Sequence, residues 1–112
     1  MNPDMLKGNL EMMLLAVVAR APAHGYAVIE DLRRQSGGAF DLPEGTVYPA
    51  LHRLEKQGLL ESRWSTAAAR KRRLYEITMK GAAELRGRER QWSAFSRAVR
   101  SVMKEKAWAP TN

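Results

Sequence analysis

Glu44-Gly45-Thr46-Val47-Tyr48-Pro49-Ala50-Leu51-His52-Arg53-Leu54-Glu55-Lys56-Gln57 is the stretch that decides the fold of this 112-residue chain. Val47, Leu51 and Leu54 recur at helical spacing, so the pattern predicts a helix over 44–57 with one apolar face turned to a core. Gly58 stops it. Pro49 leaves the start open: either the regular helix begins near Thr46, or an earlier turn is distorted. The face opposite the stripe carries Pro49, His52, Arg53 and Lys56, with Thr46 and Tyr48 toward the N-terminal edge. Arginine and lysine can bond guanine edges, while Thr and Tyr suit phosphates or thymine methyl groups, so this face is a candidate for reading duplex DNA. An ordinary solvated helix face carries similar charges, and the helix alone does not separate the two readings.

Upstream, Leu6, Leu10, Met13, Leu14 and Val17 predict a helix over 4–20, with Asn2 or Asp4 as cap, Pro3 in the first turn and Pro22 at the end. Met12, Leu15 and Val18 add a second apolar stripe, which suits a central helix or one shared with a partner. A second helix is expected over 24–36, with Gly25, Val28, Ile29 and Leu32 on one face and Gly37-Gly38 as its stop. In the connection that follows, Phe40 and Leu42 alternate with small or polar residues, as a scrap of extended chain would.

Downstream the pattern changes. Residues 59–64 and 73–78 read as two strands of a hairpin with a long tip. The tip ends in Arg70-Lys71-Arg72-Arg73, four consecutive cations that repel one another and gain from an external polyanion by counterion release. Thr78 caps a last helix over 78–106. Its heptad seam runs Leu85, Arg88, Trp92, Phe95, Val99, Val102 and Lys106; apart from Arg88 the middle is apolar, a short coiled-coil signature of about three turns. Residues 107–112 read as a flexible tail. The chain is therefore expected to be mainly α with a small β-hairpin: a winged helix-turn-helix over 1–78, with the third helix in the major groove and the hairpin on the backbone, and a C-terminal dimerisation helix over 79–106.

Charge supports a nucleic-acid reading. Residues 1–60 hold six Lys/Arg and seven Asp/Glu, whereas residues 61–112 hold thirteen against five. The net charge of +7 thus lies in the second half, a localised footprint for a polyanion. With no cysteine, disulfides, thiolate metal sites and cysteine nucleophiles are excluded. The longest apolar run, Met12 to Ala19, is eight residues, where a membrane-spanning helix needs about 20. Ala19-Arg20-Ala21 has the form of a cleavage site, but Asp4 and Glu11 sit where a leader needs basic and apolar residues, so a cytoplasmic protein is expected. No metal, cofactor or enzymatic activity is expected either. The two histidines, His24 and His52, stand in no catalytic motif, and Glu44 and Glu55 lie about 16 Å apart by helical rise.

Several of these elements together resemble the PadR family of bacterial transcriptional regulators: Gly25-Tyr26 after His24, the run from Gly45 to Glu55, Gly58-Leu59, Trp64, the Arg/Lys run, Tyr75 and Thr78-x-x-Gly81. Tyr48-Pro49-x-Leu51-x-x-Leu54-Glu55 is the most specific part, and the resemblance covers roughly residues 5–100. It implies a homodimeric winged-helix regulator, usually a repressor on a pseudo-palindromic operator, in some members released by a small aromatic effector. It implies Tyr26 and the face from Thr46 to Arg53 as DNA-facing, Arg70 to Arg73 as the wing, and Leu85 to Val102 as the dimer helix. This chain resembles the short branch, with a single helix after the wing, so only the dimer interface is left to form an effector pocket. There Trp92 is either one of two paired indoles around a flat ligand or a bulky knob in the seam. The rival to operator binding is a winged-helix module for protein or RNA contacts; its aromatic candidates are Tyr48, Trp64 and Tyr75, the last two in strands where they can equally face inward.

Overall fold

The computed structural model describes residues 6, 8–66 and 71–104. In chain order these form α1 (Leu10–Arg20), β1 (Ala23–His24), α2 (Gly25–Gln35), α3 (Glu44–Lys56), β2 (Leu60–Ser65), β3 (Arg72–Ile77) and α4 (Met79–Met103). Three helices, a small antiparallel sheet and a long final helix reproduce the winged plan.

Leu14, Leu15 and Val18 of α1, Val28 of α2, Val47, Leu51 and Leu54 of α3, and Leu60 and Tyr75 of the hairpin form one core. The stripe expected on α3 is fully buried, and Ala50 joins it. The α3 helix starts at Glu44, with Pro49 inside it. Having no N–H, Pro49 cannot bond the carbonyl of Gly45, so α3 runs through the proline with one helical hydrogen bond missing.

Three local expectations are corrected. The helix expected over 4–20 is interrupted: Leu6 is helical, but Gly8 has a φ of 83°, which a right-handed helix cannot continue through, and the helix resumes at Leu10. The proposed caps Asn2 and Asp4 lie outside the described residues. Phe40 and Leu42 form no strand, and both pack against the core. The extra strand comes from Ala23-His24, which pairs with Tyr75 and Leu74 of β3 and gives the sheet the order β1-β3-β2.

In the hairpin, Leu60 pairs with Ile77 and Ser65 with Arg72, an unbroken register of six pairs. Residues 67–70, which include Arg70, lie outside the described residues, as does Lys106 of the seam. Thr78 caps α4 as expected, its hydroxyl accepting from the Gly81 amide at 2.9 Å and donating to the Gly58 carbonyl at 2.7 Å. The cap ties α4 to the turn after α3. Past Leu85 no described residue of α4 is buried, and the molecule extends 68 Å along its longest axis. Among the described residues no helix is long and apolar enough to cross a membrane.

Candidate nucleic-acid interface

At about 100° per residue, Pro49, His52 and Lys56 occupy the centre of the outer face of α3, with Tyr48 on one flank and Thr46 and Arg53 on the other. Pro49, His52, Arg53 and Lys56 are exposed, while Thr46 and Tyr48 are half-buried. The Tyr48 flank faces the start of α2. A Cβ on Gly25 would lie 2.3 Å from the Tyr48 ring and 2.9 Å from its hydroxyl, so only glycine lets the ring lie there. Burial, with Glu44 adding to it, raises the Tyr48 phenol above its ordinary value. The hydroxyl therefore stays protonated near neutrality and can donate to a phosphate oxygen.

Tyr26, 58% exposed, stands on the same rim. Together with His24, Tyr48, His52, Trp64, Lys71, Arg72 and Arg73 it lines a concavity of about 250 Å³ between the start of α2, α3 and the hairpin. The structure thus brings together Tyr26, part of the recognition face and the three described residues of the cationic run. Lys71 and Arg72 are exposed and make no ion pair among the described residues.

Arg73 is different. Its Nε donates to the Ser62 hydroxyl at 2.9 Å and its Nη2 lies 3.4 Å from Glu55 Oε2, while Ser62 itself donates to that oxygen at 2.5 Å. The guanidinium also lies 5.0 Å from the centre of the Trp64 ring. Arg73 thereby fastens the hairpin to α3. Strand alternation carried that signal: Arg73 shares a face with buried Tyr75, two residues on. Tyr75 does face inward, but Trp64 is 58% exposed.

Arg53 is also engaged. Its Nε donates to Glu11 Oε2 of α1 at 3.2 Å, and Arg88 of α4 approaches the other oxygen of that carboxylate at 3.6 Å. Arg88 donates in turn to Glu84 at 2.7 Å. Gly25, Glu11, Glu55 and Ser62 are the residues that sequence reasoning did not assign to this surface.

On α4, Leu85 is buried against the winged domain, whereas Trp92, Phe95, Val99 and Val102 are exposed as one apolar stripe. The Trp92 and Phe95 ring centres lie 6.3 Å apart. Both rings border a concavity of about 610 Å³ between α4 and the start of α1, shared with Glu11, Met12 and Arg88. Among the described residues no three His, Asp or Glu side chains converge as they do around a metal ion.

Residues 14–87 match the profile described as "Transcriptional regulator PadR-like family". A transcriptional regulator of Mycobacterium tuberculosis is 33% identical over 93 residues, covering 83% of this chain and 84% of its own. Among solved structures, a PadR family transcriptional regulator from Eggerthella lenta superposes with a TM-score of 0.79 at 33% identity, over 89% of this chain and 86% of that one. A PadR-like regulator from Bacillus cereus superposes with a TM-score of 0.81 at 29% identity, over 91% and 98% of the two chains.

Proposed function

The chain belongs to the PadR-like family of transcriptional regulators, which are not enzymes, and from that footing we propose that it acts as a homodimeric repressor on a two-fold operator in the cytoplasm. The observation that carries the reading is the convergence of Tyr26, Tyr48, His52, Lys71 and Arg72 on one concave surface beside the exposed face of α3. α3 enters the major groove, where His52 and Lys56 are central and Pro49 and Thr46 contribute apolar contact with bases. Tyr26 and Tyr48 donate to phosphate, and the wing reaches the backbone through Lys71 and Arg72, with Arg70 beside them in sequence. Arg53 reads a base by leaving Glu11, an exchange that costs little because an exposed ion pair contributes only about 0–1 kcal/mol. Arg73 serves the wing by holding it in place.

The apolar stripe of α4 supports the dimer, since Trp92, Phe95, Val99 and Val102 stay 43–80% exposed in the single chain. The concavity beside Trp92 is where a small aromatic effector fits, with the indole offering a flat face. The test is duplex binding across a salt series with single-stranded DNA of equal length as competitor. The reading predicts duplex preference, and loss of about one unit of salt slope for each phosphate-contacting cation removed by Lys71→Ala or Arg72→Ala. Equal competition by the single strand would favour an RNA- or protein-interaction module instead.

A further inference from the structure

The unneutralised charge of this chain is concentrated away from α3. On α3, Arg53 and Lys56 are offset by Glu44 and Glu55, and Arg53 and Arg73 already face carboxylates. From Met79 to Lys104, by contrast, seven Lys/Arg stand against two Glu, a net +5 of the chain's +7. Arg86, Arg90, Arg97, Arg100 and Lys104 recur along the free part of α4 so that, at about 100° per residue, they form one ridge roughly 80° wide and about 27 Å long. All five are exposed, and none forms an ion pair among the described residues; the ion pairs of α4 use Arg88. Glu89 borders the ridge at one end, beside Arg86 and Arg90, and no carboxylate occurs from Arg90 to Lys104. The ridge lies about 160° around the helix from Trp92, Phe95, Val99 and Val102, so a dimer formed on that stripe leaves it open.

We propose that this ridge is a second DNA-contacting surface, seated on the phosphate backbone of duplex DNA without reading bases. The proposal rests on the DNA-binding reading above and adds a contact outside the winged domain. Four of the five cations are arginines, whose planar forks match phosphate oxygens. Gly87, Ala94, Ala98 and Ser101 flank the ridge, so α4 can approach a stiff cylinder closely. A protein partner would find no aromatic or aliphatic anchor on this face. A membrane surface would need apolar residues along the edge of the ridge, and here they lie on the opposite side of the helix.

The test is the triple variant Arg90→Gln, Arg97→Gln, Arg100→Gln, which keeps helix propensity nearly unchanged. Affinity for a duplex lacking the operator is measured over a salt series, with sedimentation and circular dichroism confirming a folded dimer. The slope of log K against log salt should flatten by about 5.4, from six lost contacts, three on each protomer, at about 0.9 each, while the ranking of base sequences stays that of the parent. Replacing the same three residues with lysine should restore the slope. A control triple, Arg20→Gln, Arg33→Gln, Arg34→Gln, should leave it unchanged. A parental slope in the folded ridge variant overturns the proposal, as does equal flattening by the control, which would make net charge the cause. If the parent shows no salt-dependent duplex binding, the DNA-binding reading falls with it; if only the ridge variant fails to respond, the ridge alone falls.

Discussion

Replacing Phe95 with Ala tests the α4 seam through a quantity the structure supplies. Phe95 is 62% exposed in the single chain. Full burial of a phenylalanine side chain contributes up to about 3 kcal/mol, so covering the exposed part in a dimer contributes about 2 kcal/mol per protomer. A two-fold interface contains the residue twice, for about 4 kcal/mol, and alanine keeps the Cβ, which leaves a loss of about 3 kcal/mol. At 1.4 kcal/mol per tenfold, the dimer should dissociate roughly 100-fold more readily. Sedimentation velocity over a concentration series measures this shift directly. The fold should be unaffected, because Phe95 lies beyond the last buried residue of α4 and contributes nothing to the core. A parent that stays monomeric through high micromolar concentration would refute the reasoning. So would a variant with the parental dimer constant.

Other outcomes follow from the same geometry. Val99→Glu sets two like charges in a desolvated seam and should give monomers and loss of operator binding together, read by sedimentation and by electrophoretic shift. Gly81→Ala should destabilise by about 1–3 kcal/mol despite alanine's better helix propensity, because the new Cβ would meet the Leu59 carbonyl at 2.0 Å; a raised melting temperature would contradict this. Arg72→Ala should leave stability within about 0.5 kcal/mol and flatten the salt slope, whereas Arg73→Ala should lower the denaturation midpoint, since it removes the link from Ser62 and Glu55 to the wing. Burial, with Glu55 next in effect, raises the Tyr75 phenol above its ordinary value of 10.0. The folded state thus holds that proton more tightly, so its contribution is complete below about pH 10 and is lost as pH rises through the folded value. Tyr75→Phe should reduce the alkaline slope of stability, measured by denaturant midpoints.

Most of the fold was legible because long periodic stretches obey one rule each. Val47, Leu51 and Leu54 had to share a face, and Leu60 through Ile77 had to fold back on itself. The third strand was not legible: Ala23 and His24, between Pro22 and Gly25, are too few for alternation, and they become a strand only because β3 offers them an edge. The unbroken helix expected over 4–20 failed at Gly8, whose backbone leaves the helical region between Leu6 and Leu10. At the candidate site, outward-facing residues were readable from phase, but partners across the fold were not. Four consecutive cations looked equivalent in sequence. Arg73 is set apart by Glu55, Ser62 and Trp64, which reach it from α3 and β2, and Arg53 by a carboxylate 42 residues away on α1.

In the function proposed above, two copies of this chain read a two-fold symmetric DNA sequence through α3. Selection of bound duplexes from a random-sequence pool by the intact protein measures this most directly. The account predicts enrichment of two inverted half-sites with centres about one or two helical turns apart, roughly 10 or 20 base pairs, with preference at the half-sites lost in the combined His52→Ala, Lys56→Ala variant. A pool that emerges without any shared sequence, or with a single asymmetric site indifferent to those residues, would contradict it.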